Sequence, residues 1–175
     1  MVLFNIPAIL FDTLRLLLSY MQSNSASDHF YYLMLEPKRA DLLWCLLTDP
    51  TYSSTIRHQV IRIILLLLRN NKAPSRAKMR VHLRDARYLG ICHLRCKNIS
   101  DCLTIQEVTG LMDIMFLFND DAAYQGALGL AHHLQWTSID VKIAYCRRLI
   151  TTLFAKPEAP SQFANKIGWQ DCLAK

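Results

Sequence analysis

Apolar residues recur along most of this chain at steps of three and four, the spacing that places side chains on one face of an α-helix. The first such stretch predicts a helix over about residues 6–21. Asn5 is suited to be its N-cap, and Pro7 falls in its first turn, where a missing N–H costs least. A shorter helix is predicted over about residues 39–48. Asp49-Pro50 ends it, because a residue before proline disfavours helical backbone angles.

Residues 54–70 predict a helix at the centre of the fold. At ~100° per residue, three of its polar side chains project within roughly 40° of one another. They are His58, Arg62 and Arg69. Nearly every other position is Val, Ile or Leu, so this helix is expected to be covered on almost all sides. Leu65 and Leu67 are therefore predicted core residues, each costing about 2–5 kcal/mol on replacement by Ala.

Further helices are predicted over the second half of the chain. Ser75 is suited to cap a helix running to about Cys96. Thr104 and Glu107 have the spacing of a capping box, in which each side chain bonds the backbone N–H of the other residue. The apolar face that follows consists of Val108, Leu111, Met112, Met115 and Phe118.

Two helices are predicted after this capped helix. One covers about residues 122–133, and the next starts within residues 137–140. The predicted core face of the latter is Ile139, Ile143, Cys146, Ile150 and Leu153. Pro157 and Pro160 are expected to close it, and Ser161 to begin the last helix.

The order and spacing of these helices favour an all-α fold, specifically an irregular armadillo/HEAT-like α-solenoid, over a closed helical domain. Helix starts near 6, 54, 104 and 137 come at uneven intervals that approach the ~40–47 residues of HEAT or armadillo units. The chain is interpreted as one such region over residues 1–175, with a possible first repeat at 1–48 and the remainder at 49–175.

Composition is consistent with a helical, reduced, cytoplasmic protein. Hydrophobic residues make up 52% of the chain and charged residues 19%, with only 5 Gly and 6 Pro, which disfavours a turn-rich β protein. The beginning of the chain lacks the pattern of a signal peptide, so the six cysteines are expected to be thiols, mostly small buried hydrophobes. The longest uncharged apolar run, 63–68, is too short to span a bilayer.

Three clusters resemble chemical sites, and each has a simpler interpretation. Cys92, His93 and Cys96, with Cys102 nearby, have the residue types of a zinc site but no second pair of ligands along the chain. His132-His133 cannot place both rings on one side of a helix and is expected at a helix end. Gly126 and Gly129 lie in an apolar helix and indicate close packing rather than a phosphate loop. We therefore expect no catalytic residues, metal or cofactor.

A basic run over residues 69–97 is the functional candidate, with nine Lys or Arg and one acidic residue, Asp85. Its predicted contact residues are Arg76, Arg80, Arg84 and Arg87. The run is either a solvated helix face or a patch for anionic lipid headgroups or an acidic protein segment. Nucleic acid is not expected, because no recognition motif or stacking platform accompanies the charge.

Gly168-Trp169-Gln170-Asp171 opens an amphipathic turn close to the last residue of the sequence. We therefore expect the sequence to be a piece of a longer protein. The apolar residues of this last helix should then lack part of their packing partner. They are Phe163, Ile167, Trp169 and Leu173.

Several segments in order resemble the helical region of the neurobeachin family of BEACH-domain proteins. They are the basic segment 69–90, residues 121–128, residues 139–150 and Gly168-Trp169-Gln170-Asp171. The resemblance covers roughly residues 42–175 and implies an armadillo/HEAT-like region within a large cytosolic scaffold for vesicle traffic. The BEACH, pleckstrin-like and WD-repeat domains that define the family lie outside this sequence.

These observations together predict a non-catalytic helical scaffold for protein–protein interaction in membrane traffic. Its partners would be other proteins and the remainder of its own larger chain. Its expected location is the cytoplasm, either free or at the periphery of endomembranes. The alternative is a peripheral membrane-binding module that uses the basic run 69–97 on anionic lipid.

Overall fold

The computed structural model of this chain describes residues 6–23, 28–34, 36–49, 51–69, 103–117, 121–166 and 168–174. Within these ranges the chain is helical and contains no strand, which confirms the all-α prediction. The helices are α1 (Ile6–Gln22), α2 (Asp28–Met34), α3 (Pro37–Thr48), α4 (Ser54–Arg69), α5 (Ile105–Phe116), α6 (Asp121–His133), α7 (Ile139–Leu153), α8 (Ala159–Ala164) and α9 (Trp169–Leu173), with a 3-10 turn at Leu134–Trp136. The predicted helix over 75–96 lies outside the described residues.

Most of the predicted boundaries are confirmed. α1, α4 and α6 agree with prediction to within one residue at each end. α3 begins earlier than predicted, with Pro37 as its first residue, and still ends at Thr48. The sequence analysis missed α2, which is only seven residues long.

Four helices form a row in chain order. α1 packs on α4, α4 on α5, and α5 on α7, while α3 packs beside α4 and α6 beside α5. α4 and α5 therefore occupy the middle of the row, and α1 and α7 lie at its two ends. The continuous core lies between these helices, with α2, α8 and α9 packed at its edges.

α4 supplies much of the core. Leu67 is fully buried, as predicted, and Arg62 and Arg69 are exposed. Leu65, the other predicted core residue, is half-buried and packs against the core. Its position on the helix lies between the buried face and the stripe of Arg62 and Arg69, which accounts for its partial exposure. The buried residues are Ile56, Arg57, Val60, Ile61, Ile63, Ile64, Leu67 and Leu68.

α5 approaches its two neighbours closely. The predicted apolar residues Val108, Leu111, Met112 and Met115 are all buried, while Phe118 lies outside the described residues. A Cβ built on Gly110 would lie 2.5 Å from Cγ2 of Ile61 on α4. A Cβ built on Gly126 of α6 would lie 1.5 Å from Cε of Met115. The interpretation of Gly126 as a close-packing residue is therefore confirmed.

The predicted core face of α7 is wrong except at Leu153. The buried residues are Val141, Tyr145, Leu149 and Leu153. Ile139, Ile143 and Ile150 are 67%, 40% and 55% exposed, and Cys146 is an exposed free thiol. Both sets recur at helical spacing, on faces roughly 120° apart. α5 covers the set that contains Tyr145, whose hydroxyl donates a 2.8 Å hydrogen bond to the carbonyl of Ala127 on α6.

The end of the described chain also differs from prediction. Pro160 lies in the first turn of α8 and does not close the preceding helix. Phe163 is 4% exposed and packs against the rings of Tyr124 and Trp169, each with its centroid 6.2 Å away, so the expectation that it lacks part of its packing partner is wrong. Two short helices replace the single predicted one, because Gly168 adopts φ +80° between them. Ile167 and the side chain of Leu173 lie outside the described residues.

A buried hydroxyl links α1 to α2. Tyr31 is 7% exposed, and its hydroxyl donates a 2.9 Å hydrogen bond to the carbonyl of Met21 at the end of α1. Burial raises the pKa of Tyr31 above its ordinary value of 10.0, because the tyrosinate would lose its hydration. Tyr31 is thus held in its neutral form between the two helices.

Candidate interaction surfaces

The two buried charged residues of the described ranges, Arg57 and Glu107, form a pair between α4 and α5. Nε of Arg57 donates to Oε1 of Glu107 at 2.7 Å, with the two side chains 6% and 0% exposed. The guanidinium also donates to the carbonyl of Tyr52 at 3.0 Å. The sequence analysis missed this pair, because fifty positions separate its members and neither residue has a local signature of burial.

Glu107 also completes the predicted capping box of α5. Its Oε2 accepts from the backbone N–H of Thr104 at 2.7 Å and from the Thr104 hydroxyl at 2.9 Å, and its own N–H donates to that hydroxyl oxygen at 3.3 Å. Both carboxylate oxygens therefore accept hydrogen bonds from the protein. This arrangement joins the start of α5 to α4, and its chemistry is that of a structural ion pair rather than a proton donor or acceptor for a substrate.

A groove of about 450 Å³ lies beside this pair, between the first turns of α4 and α5. Its lining residues are Phe11, Ser54, Thr55, His58, Gln59, Thr104, Ile105 and Gln106. Nδ1 of His58 and Oε1 of Gln59 are buried and have no hydrogen-bond partner among the described residues. A smaller cleft of about 280 Å³ lies between α5 and α7, where Arg148 pairs with Asp113. Both are open surface depressions without a convergent set of catalytic groups.

The outward face of α7, together with the residues that flank the helix, presents a run of exposed apolar side chains. Its members are Trp136, Ile139, Ile143, Cys146, Ile150 and Phe154, and we call this set the α7 ridge. The two aromatic residues at its ends, Trp136 and Phe154, are 66% and 77% exposed. The steps from Ile139 onward are four, three, four and four residues, so the side chains follow one another along the helix.

Two cations border the α7 ridge on opposite sides. By helical geometry Lys142 lies along one edge and Arg147 along the other. Neither residue belongs to an ion pair within the part of the chain that the structure describes. Asp140 is the acidic neighbour, in the first turn of the helix.

The other end of the row carries a second exposed set, the α1 ridge. Its members are Ile6, Ile9, Leu16 and Tyr20, which are 68%, 52%, 68% and 40% exposed. The charged residues of this helix, Asp12 and Arg15, form an exposed ion pair at 3.3 Å. The two end helices thus both present apolar side chains away from the row, and only the α7 ridge is bordered by unpaired cations among the described residues.

The other predicted site residues divide into two groups. Arg76, Arg80, Arg84 and Arg87 of the basic run lie outside the described residues, as do Cys92, His93, Cys96 and Cys102 of the zinc-like cluster. Trp169 is half-buried at the start of α9, and Gln170 and Asp171 are exposed beside it. The structure places Gly168-Trp169-Gln170-Asp171 at the edge of the core through the contact between Trp169 and Phe163.

The remaining candidates behave as side chains of a helical core and its surface. His132 is exposed and His133 half-buried at the end of α6, which confirms their predicted place at a helix end. Cys45 and Cys146 are exposed free thiols, so the expectation of buried thiols is wrong at both. No group of three or more His, Cys, Asp or Glu in the described ranges could hold a metal ion. No helix in those ranges is long and apolar enough to cross a membrane.

Compared with known proteins, the chain matches no protein-family model, and no solved structure matches it.

Proposed function

We propose that this chain is a segment of an irregular armadillo/HEAT-like α-solenoid that serves as a non-catalytic scaffold for protein–protein interaction. The observation that supports the proposal best is the row α1–α4–α5–α7, in which each helix packs on the one before it and both end helices present apolar residues outward. In solenoids each repeat contacts its neighbours only, so an end helix without a polar outer face has a surface suited to a further protein element.

The proposal includes a place in membrane traffic. The resemblance of 69–90, 121–128, 139–150 and Gly168-Trp169-Gln170-Asp171 to the neurobeachin family supports a role in a large cytoplasmic scaffold at endomembranes. Both carboxylate oxygens of Glu107 accept hydrogen bonds from the protein, one of them from Arg57, which supports a structural role for these buried charges. In this proposal the chain acts by binding other proteins through its surface and does not catalyse a reaction.

Site-specific photo-crosslinking in cells tests the scaffold function. A photoreactive amino acid is placed at Leu16 on the α1 ridge, at Ile139 on the α7 ridge, or at the exposed Gln125 of α6 as the control. We expect protein adducts at Leu16 and Ile139 and few at Gln125, identified by mass spectrometry. Equal yields at the three positions, or adducts to lipid alone at the ridges, would contradict the proposal.

The second candidate function is binding to anionic membranes through the basic run. The run holds nine of the twenty Lys and Arg of the chain and one of its fourteen Asp and Glu, so the rest of the chain is slightly acidic. Such a cluster is attracted to anionic lipid by about 1 kcal/mol for each cation near the surface. The basic run, rather than the protein as a whole, would then be the membrane contact.

Vesicle flotation separates the two functions. The variant Arg76→Glu/Arg80→Glu/Arg84→Glu is compared with a matched variant that reverses three exposed cations elsewhere, Lys38→Glu/Arg62→Glu/Lys156→Glu. If the run binds membranes, only the first variant loses flotation with phosphatidylserine vesicles at ~0.15 M salt, where distant surface charges are screened. Equal flotation of all three proteins would remove this function.

A further inference from the structure

We propose that the α7 ridge is the docking site for an amphipathic helix of a separate protein, whose apolar stripe is bordered by Asp and Glu. This inference rests on the proposed scaffold function and specifies the partner for one end of the row. It draws on three observations: the helical spacing of the exposed residues, the cations on both edges of the ridge, and the path of the chain after α7.

The shape of the ridge suits a helix. A surface that presents apolar side chains at steps of three and four along one helix is complementary to another helix with the same spacing. α7 has fifteen residues and is roughly 22 Å long at 1.5 Å per residue. A partner helix of about four turns would therefore cover the residues from Ile139 to Phe154.

The charges on the edges select the kind of helix. Lys142 and Arg147 lie on opposite edges, so a docked helix would bring its own flanking residues close to both. Carboxylates at those positions are favoured and ammonium or guanidinium groups are disfavoured, and such rim charges set partner choice and association rate. Asp140 affects only the first turn, so the middle and end of the ridge favour acidic flanks.

The described segments that follow α7 do not occupy the ridge. After α7 the chain turns back along the core, where α8 packs on α7 and α9 packs on α6. With both segments in place, Ile139, Ile150 and Phe154 are still more than half exposed. α8 and α9 thus leave the ridge uncovered.

Charge also disfavours a second copy of this chain as the occupant. Two-fold symmetry pairs the same surface patch on both subunits. A two-fold dimer through the α7 ridge would place the edges that carry Lys142 and Arg147 against edges that carry the same cations. Like charges in such positions reduce affinity, whereas an acidic partner gains from both edges.

Binding to designed peptides tests the inference. The probes are two fluorescein-labelled, hydrocarbon-stapled helices of sixteen residues with the same leucine stripe, one flanked by Glu and the other by Lys. We expect the Glu-flanked peptide to bind at least tenfold more tightly, as measured by fluorescence anisotropy. Equal affinities for the two peptides, or no binding of either, would overturn the inference.

Two exposed thiols of the described residues report where the peptide docks. Cys146 lies within the α7 ridge, and Cys45 is exposed on α3 and serves as the internal control. We expect the Glu-flanked peptide to slow alkylation of Cys146 at least fivefold and to leave the rate at Cys45 unchanged, as followed by peptide mass spectrometry. Unchanged alkylation at Cys146 with saturating peptide would place the binding elsewhere and overturn the inference.

Surface variants distinguish the contribution of the cations at the edges of the ridge to peptide binding from that of its apolar residues. Lys142→Glu/Arg147→Glu should reverse the preference between the two peptides, and Phe154→Ser, at a residue that is 77% exposed, should weaken both without unfolding the protein. Leu16→Asp on the α1 ridge is the matched control and should change neither affinity. Circular dichroism confirms that each variant is folded, and a preference unaltered by the double reversal would overturn the role of the cations.

Two further outcomes would assign the ridge to another occupant. A dimer in sedimentation experiments that Ile150→Asp dissociates would make the occupant a second copy. Flotation with anionic vesicles that Ile150→Asp abolishes would make it a membrane surface. Protein adducts at Leu16 in cells together with equal peptide affinities would contradict this inference alone, whereas the absence of adducts at both ridges would also contradict the scaffold function.

Discussion

α4 and α7 are both rich in apolar residues, but α4 lies in the middle of the row of helices and α7 lies at one end. Both carry apolar residues over most of their circumference. α4 lies between α1 and α5 and buries Ile56, Ile63 and Leu67 completely or almost completely, whereas α7 buries one face and exposes Ile139 and Ile150. Apolar content alone therefore does not determine burial. The number of neighbouring helices does, and the position in the row sets that number.

The largest expected effect is at the charged group buried within α4. Arg57→Ala leaves the carboxylate of Glu107 buried without its partner, which should destabilise the protein by about 3–5 kcal/mol. Arg62→Ala, one turn further along the same helix and exposed, should change the free energy of unfolding by less than about 0.5 kcal/mol. Urea denaturation of both variants measures the difference. Equal effects would mean that α4 is not enclosed as described.

Two leucines of α4 differ in burial, so they test within a single helix how burial sets stability. Leu67→Ala removes a fully buried side chain and should cost about 3–5 kcal/mol, in the upper part of the usual range. Leu65→Ala removes a side chain that is half-buried, so its cost should be about half as large. Thermal and urea unfolding give both values. A larger loss at Leu65 than at Leu67 would contradict the orientation of α4.

The same experiment on α7 tests the face that the sequence analysis assigned wrongly. Leu149→Ala, at a residue that is 3% exposed, should cost about 2–3 kcal/mol. Ile150→Ala, at the adjacent residue that is 55% exposed, should cost below about 1 kcal/mol in the isolated protein. If the Ile150 variant is the less stable one, the ridge is a buried face and the comparison between α4 and α7 fails.

The smallest expected effect concerns the hydroxyl that joins α1 to α2. Because burial raises the pKa of Tyr31 in the folded state, its contribution to stability is present below pH 10 and decreases as pH rises beyond that value. Tyr31→Phe removes the hydrogen bond to Met21 and should cost about 1 kcal/mol near pH 8. The difference in the free energy of unfolding between the unaltered protein and Tyr31→Phe should become smaller near pH 11. Urea denaturation at each pH measures this difference. A constant difference would contradict the buried position of this hydroxyl.

Features encoded by neighbouring residues were predictable from the sequence. The capping box needs only Thr104 and Glu107, three positions apart, and the structure confirms both hydrogen bonds between side chain and backbone. The bounds of α4 follow from its long apolar pattern in the same way. Local hydrogen bonding and periodicity suffice where one segment determines its own conformation.

Features that depend on distant segments were not predictable. The partner of Arg57 lies fifty residues away, and only the packing of α5 on α4 brings Glu107 to it. On α7 both apolar faces satisfy the helical pattern, and the contact with α5 decides that Tyr145 rather than Ile143 is buried. α2 was missed because seven residues carry too little periodicity to identify a helix.

Gly110 of α5 and Gly126 of α6 restrict which sequences this fold accepts. At Gly110 and Gly126 even one added carbon would overlap a neighbour, Ile61 in one case and Met115 in the other. Of the two obstacles, the end of the Met115 side chain is the more adaptable, because methionine is flexible. In a library that randomises each position, alanine should be recovered at 126 more often than at 110, and a smaller residue at 61 should restore alanine at 110. Variation at positions 110 and 61 in such a library would then be correlated.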